Sequence, residues 1–181
     1  YIVVGDLAGL TTNSVDFSSI DYVYHFAAEV KLHGDQDVLR RTNSVGTQRL
    51  IAAFSNSPRL RRFFHASTMG AVDRQPEDDC QKPLNENVVP NPLSLYGKTK
   101  LESETTVRQS GIPFTIVRIP WAFGSGMTPD THIRNLFERV MRKSLVTRIF
   151  FPGKVSVIAV EDLVQVFLGL ASEPKALNEI Y

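Results

Sequence analysis

The chain has 181 residues and a mass of 20.2 kDa, which leaves room for one main domain. Its 20 basic and 19 acidic residues cancel to a formal charge of +1, and 43% of residues are hydrophobic, which excludes a disordered chain and a general binder of nucleic acid. The single cysteine, Cys80, excludes an intramolecular disulfide, and no run approaches the roughly 18 apolar residues of a bilayer span, so a cytoplasmic protein without a membrane partner is expected.

Short β-branched and aromatic runs alternate with longer segments of helical period, the pattern of a parallel sheet with crossover helices. Tyr1–Val4 is an apolar run closed by Gly5 and Asp6, and Asp21–Ala28 reads as a mostly buried strand that empties into small residues. Both resemble central strands. A helix is predicted from about Asp37 to Phe54, and Arg62–Ala66 gives a third strand ending at Ser67 and Thr68. The basic cluster Arg59–Arg62 is expected to cap the preceding helix or to sit on a solvated surface. Asp73–Pro92 is polar and proline-bearing, a surface excursion, and Phe114–Arg118 supplies a fourth strand stopped by Pro120. Two amphipathic helices follow, one striped by Ile133, Leu136, Phe137, Val140 and Met141. The other is striped by Val160, Leu163, Val164, Phe167, Leu168 and Ala171, with Glu161 and Asp162 where acids favour a helix start. Asn178–Tyr181 ends the chain strand-like. His25, His33 and His132 have no ligand partner at familiar spacing, so no metal is expected.

Tyr96 and Lys100 stand four apart in Ser94–Glu102 and therefore on one helix face. A tyrosine with a pKa near 10 is a poor base at neutral pH, whereas a nearby ammonium is expected to lower that value and let Tyr96 pass a proton to or from a substrate oxygen. Alone, the pair also fits a solvated helix face. The hydroxyls of Ser67 and Thr68, at the carboxyl end of a parallel strand, could face the same oxygen.

Together with the following motifs, the chain resembles the extended short-chain dehydrogenase/reductase family, the NAD(P)-dependent nucleotide-sugar epimerases, dehydratases and related reductases. Gly5-Asp6-Leu7 resembles its Gly-Asp-aliphatic motif, which would place Asp6 and Leu7 at the adenine. His25-Phe26-Ala27-Ala28 is similar to the strand end where backbone approaches the cofactor. Asn43-Ser44-Val45-Gly46-Thr47 resembles the Asn-x-x-Gly-Thr helix motif, in which the asparagine supports the active-site hydrogen bonds. Ala66-Ser67-Thr68 resembles the Ser-Ser or Ser-Thr element. Arg118–Gly124 is similar to the stretch meeting the nicotinamide side of the cofactor, and Val157–Leu163 resembles the strand-to-helix motif bordering the substrate lobe.

The resemblance implies an oxidoreductase or isomerase acting by hydride transfer at a carbinol or ketone carbon of a small-molecule substrate, a nucleotide sugar first. Tyr96, Lys100 and Thr68 would be catalytic. Asp6, Leu7, Phe26, Ala27, Ala28, Asn43, Ala66, Ser67, Tyr96, Lys100, Ile119, Pro120, Trp121 and Ala122 would bind NAD or NADP, and Thr68, Met69, Tyr96 and Trp121 would face substrate. The expected fold is α/β, a Rossmann-like doubly wound parallel sheet incomplete at its N-terminus. Residues 1–120 would form a partial dinucleotide-binding domain, and 121–181 substrate-lobe segments with a returning strand and helix.

The family's Gly-x-x-Gly-x-x-Gly loop is absent, which leaves NAD against NADP undecided, implies impaired cofactor binding and makes an inactive fragment the expectation for these 181 residues alone. Asp73, Trp121 and Ala159 stand where relatives commonly have glycine, asparagine and histidine, which puts substrate identity in question. A homo-oligomer is expected from uncovered sheet edges. A different reading, a non-catalytic cofactor-sensing or scaffold protein, is countered by the retained tyrosine and lysine.

Overall fold

The computed structural model describes all residues except 1, 3, 11–15, 31–34, 76, 77, 80, 81, 128–131 and 143–154. Four parallel strands form one sheet in the order β1 (Tyr22–His25), β2 (Arg62–Thr68), β3 (Phe114–Ile119) and β6 (Glu179–Ile180). Parallel neighbours need crossover connections. Between β1 and β2 the chain runs through α1 (Gln36–Leu39), a π-helical segment (Arg40–Val45) and α2 (Gly46–Phe54). The crossover between β2 and β3 is α3 (Leu95–Gln109). Pro120, which has no N–H to donate, separates β3 from β4 (Trp121–Phe123), and β4 pairs instead with β5 (Val157–Ala159) in a second, two-stranded sheet. Helices α4 (His132–Met141) and α5 (Val160–Ser172) complete the described fold. No helix among the described residues is long and apolar enough to cross a membrane.

Alternation along the strands divides the core in two. Phe63, Phe114 and Ile116 pack with Ile51, Phe54, Leu60, Val107 and Ile112 under α2 and α3. On the opposite face Phe64 and Val117 meet Phe167 of α5. Each such fully buried side chain contributes about 1.5–3 kcal/mol.

Several expectations are corrected. Ile2 and Val4 are exposed coil, since an apolar run becomes a strand only where a neighbour pairs with it. The segment Asp21–Ala28 is half-exposed rather than mostly buried: Tyr22 and Tyr24 of β1 and Phe26 just after it show 39%, 40% and 54% of their surface, because α5 reaches only part of that face. The α5 stripe is wider than its contact. Phe167 is buried, Leu163 and Ala171 partly so, and Val160, Val164 and Leu168 are exposed. On α4, Val140 and Met141 are exposed, and the side chains of Ile133, Leu136 and Phe137 lie outside those described. Of the two expectations for the basic cluster, the solvated surface holds for Arg59 and Arg61, which are exposed and pair with Asp21, whereas Arg62 is buried and donates to the carbonyls of Leu170 and Glu173 at the end of α5.

Candidate active site

The start of α3 sets the position of the tyrosine and lysine. Ser94 caps the helix, its Oγ accepting from the Gly97 N–H at 3.0 Å. Gly97 lets the first turn pass directly over the Met69–Val72 turn that follows β2: a Cβ there would overlap the Gly70 carbonyl oxygen. This close approach brings Tyr96 to the end of β2. Thr68 caps the same Met69–Val72 turn, its Oγ1 accepting from the Gly70 N–H at 3.1 Å, which leaves the hydroxyl proton available for another acceptor.

Thr68, Tyr96 and Lys100 line one cavity of about 200 Å³ with Ser67, Phe26 and Ala28. A larger cavity of about 830 Å³ shares Thr68, Tyr96, Ile119 and Pro120 with it and continues over Met69 and Trp121. The phenol and the strand-end hydroxyl therefore stand where two cavities meet.

The two hydroxyls at the end of β2 differ. Ser67 donates to Glu104 Oε1 at 2.5 Å, and Arg118 binds the same carboxylate through Nε at 3.1 Å and Nη2 at 2.8 Å. Among the described residues no acceptor takes the Thr68 proton.

Electrostatics correct one expectation. Burial pushes the Tyr96 phenol up rather than down, so it is protonated at neutral pH. Burial lowers Lys100 to about 8, with Glu104 acting in the opposite direction. His25 falls to about 4, from burial first and the Lys100 charge second, and His65 falls well below its ordinary value for the same reasons with His25 added. The two rings lie 5.3 Å apart, and His25 Nε2 is 2.8 Å from Thr47 Oγ1. Tyr96 is thus disposed as a proton donor beside a cationic amine, and becomes a base only once its own proton has left.

Residues 2–181 match the family model described as the NAD dependent epimerase/dehydratase family. The chain belongs to that family. Among curated proteins it is 28% identical over 132 residues to methionine adenosyltransferase 2 subunit beta of Bos taurus, covering 72% of this chain and 40% of that one. It is 32% identical over 129 residues to the uncharacterized protein y4nG of Sinorhizobium fredii, covering 69% and 31%. The chain therefore spans less than half the length of these relatives. Among solved structures, UDP-glucuronic acid 4-epimerase of Bacillus cereus, in complex with UDP-glucuronic acid and NAD, superposes with a TM-score of 0.75 at 24% identity, covering 94% of this chain and 57% of that one. The dTDP-glucose 4,6-dehydratase DesIV of Streptomyces venezuelae, with NAD bound, gives 0.75 at 22% identity, covering 98% and 56%. At these identities the likeness establishes the Rossmann-type fold.

Of the positions that an epimerase/dehydratase would use for cofactor, Phe26, Ala28, Ala66, Ser67, Ile119 and Pro120 line the smaller cavity with the lysine and tyrosine. Met69 and Trp121 line the larger one. Asp6, Leu7, Ala27, Asn43 and Ala122 line neither. Asp6 caps the turn Leu7–Gly9 through the Ala8 N–H and pairs with Arg41 at 2.7 Å, contacts that together hold its carboxyl below the usual carboxylate range. Asn43, 1% exposed in the π-helical segment, accepts from the Glu29 N–H and donates to the Glu29 carbonyl and Thr99 Oγ1. It ties the loop after β1 to α3.

Sequence reasoning did not single out Glu104 or pair it with Arg118. The available signal was the i+4 spacing of Glu104 from Lys100, which put a carboxylate on the same helix face.

Proposed function

We propose that this chain carries the reacting end of an NAD(P)-dependent enzyme that moves a hydride to or from a carbinol or ketone carbon, with a nucleotide sugar as the substrate. The observation that carries the reading is the meeting of Tyr96 and Thr68 at the junction of two cavities, with Lys100 on the wall of the smaller one. The residues suit a nicotinamide nucleotide: Lys100 is buried, lines the smaller cavity and forms no hydrogen bond among the described residues, so a ribose hydroxyl would give its ammonium an acceptor. When bound, the nicotinamide would accept or supply the hydride.

The protein's own groups handle the proton and the orientation. Thr68 would donate its free hydroxyl to the substrate oxygen and fix it toward Tyr96. In the reductive direction Tyr96 gives its proton to that oxygen as negative charge develops, and the adjacent ammonium stabilises the phenolate left behind. In the oxidative direction the same phenolate takes the carbinol proton. The larger cavity, walled by Met69 and Trp121, would take the remainder of the substrate, and residues 121–181 would supply substrate-lobe segments together with the returning helix α5 and strand β6 of the main sheet. A solved UDP-glucuronic acid 4-epimerase of similar fold and MoeE5 both hold UDP-glucuronic acid and NAD, which supports the substrate class and the cofactor.

In the full-length protein Tyr96→Phe should lower turnover on the order of a thousandfold, the usual worth of a positioned acid/base, while leaving affinity for the nicotinamide nucleotide within a few fold. Nicotinamide fluorescence with UDP- and dTDP-hexoses measures both; a Tyr96→Phe enzyme that turns over normally removes the assigned acid.

A second reading is favoured by the relatives named as a subunit of methionine adenosyltransferase: a partner protein of the same fold that binds the nucleotide without turning over substrate. Binding of NADH or NADPH with no turnover on that panel, unchanged by Tyr96→Phe, would select it.

A further inference from the structure

The buried charges behind the site converge on Glu104, which is 1% exposed and lies one turn beyond Lys100 and two beyond Tyr96 on the same face of α3. Its two oxygens take the Ser67 hydroxyl and both arms of Arg118, residues directly opposite each other in the pairing of β2 with β3. One carboxylate thus fastens the helix to two neighbouring strands, one residue below Thr68.

An arrangement of this kind is a poor way to gain stability. Both ions are desolvated, Arg118 Nη1 has no hydrogen-bond partner among the described residues, and well-packed apolar side chains would hold the same elements together at least as well. What an apolar replacement could not do is act on Lys100. The other titratable groups facing the ammonium are neutral at physiological pH: His25 from β1 and His65 from β2 are kept unprotonated by burial, and the Tyr96 phenol holds its proton. Arg118 from β3 is cationic and bound to Glu104.

We propose that Glu104 is a positioning residue for the Tyr96–Lys100 pair: its buried carboxylate, held in place by Ser67 and Arg118 one helical turn from Lys100, supplies the negative charge that keeps the ammonium cationic beside the tyrosine. The inference rests on the reading of Tyr96 and Lys100 given above, but its test does not pass through turnover.

In the intact chain labelled with carbon-13 lysine, the Lys100 resonance is identified by its loss in Lys100→Met and titrated by NMR. Glu104→Gln keeps the shape and the acceptor for Arg118 while removing the charge. It should raise the acid dissociation constant of Lys100 at least about tenfold, the lower bound for losing an adjacent opposite charge. Should Glu104→Gln fail to fold, Ser67→Ala supplies the test with the opposite sign. Removing the hydroxyl that partly neutralises the carboxylate strengthens its field, and the Lys100 midpoint should move up. A midpoint that stays put in the folded Glu104→Gln chain, or in Ser67→Ala where that is the chain that folds, overturns the inference. Normal turnover by Tyr96→Phe would overturn the catalytic reading instead and leave the Lys100 titration interpretable, so the two failures are separable.

Discussion

Arg62 and Arg118 are both 7% exposed and both project from the same sheet, yet they lie on opposite faces and end on different partners. Arg62, at the start of β2, crosses the Phe64 ring at 5.8 Å and donates to two backbone carbonyls at the C-terminus of α5, where helix geometry leaves acceptors unsatisfied. Arg118, near the end of β3, meets a carboxylate that also holds a serine and faces the candidate catalytic lysine. Equal burial of the same residue type therefore says little about what the residue is for; the partner decides. On the α5 face the arginine closes a helix, and on the α3 face it anchors the helix that carries the reacting groups.

The largest difference between them should appear on truncation. Arg118→Met leaves the Glu104 carboxylate buried without its cation, at a cost of about 3–5 kcal/mol. Urea unfolding measures it; a loss under about 1 kcal/mol would mean that water or Lys100 substitutes freely for the arginine.

Proton linkage on the same face comes next. Buried neutral His25 binds its proton near pH 4 in the folded chain, against 6.5 in the unfolded one. As pH falls below 6.5 the unfolded chain takes up protons first, so stability declines through that window down to about 4, by on the order of 3 kcal/mol for this group. His65, shifted the same way, adds to the decline. Lys100 has the same sign higher up. Folded at about 8 and unfolded at 10.5, it binds its proton more weakly in the native state, so stability rises with pH between those values. Denaturant midpoints against pH for the wild type, His25→Gln and Lys100→Met test both windows; a His25→Gln curve identical to wild type below 6.5 would remove the first.

This polar face was the part of the molecule least legible in the sequence. The strands β2 and β3, the crossover α3 and the strand-end hydroxyls follow from alternation, helical spacing and the Pro120 stop, because one face of each element must meet a core whichever neighbours it has. The juxtaposition of Tyr96 with Thr68, 28 residues apart, followed from the place of a hydroxyl at the carboxyl end of a parallel strand, and the family motif sharpened it. Glu104, Arg118, His65 and the state of Tyr96 stayed hidden for a common reason. Each depends on how little water reaches that face, and burial of a charged side chain is a property of the packed neighbours rather than of local period. The exposed side of β1 was misjudged on the same ground: Tyr22 and Tyr24 have the composition of a buried strand, while their cover depends on how far α5 extends.

At the junction of helix and site, Gly97→Ala sets two effects against each other. Alanine favours the helix by roughly 0.5–1 kcal/mol, whereas overlap with the Gly70 carbonyl costs about 1–3 kcal/mol, since backbone rather than a flexible side chain must yield. Net destabilisation is expected, together with a fall in turnover on the order of a hundredfold if α3 moves by about 1 Å and carries Tyr96 with it. A stabilised Gly97→Ala enzyme with normal turnover would show that α3 and the Met69–Val72 turn do not approach so closely.

The smallest effect belongs to Arg62. Arg62→Met removes the hydrogen bonds to Leu170 and Glu173 but leaves no charge behind, and the exposed Glu173 can offer its carbonyl to water. The methionine still packs over Phe64, so the loss should be about 1.5 kcal/mol, the lower range for hydrogen bonds from a charged donor. Turnover and the Lys100 titration should be unchanged, because nothing on the α5 face touches Glu104. Were Arg62→Met to shift the Lys100 midpoint as far as Glu104→Gln does, the division of labour between the two faces would fail. The sheet would then have to be transmitting strain from one arginine to the other across β2 and β3.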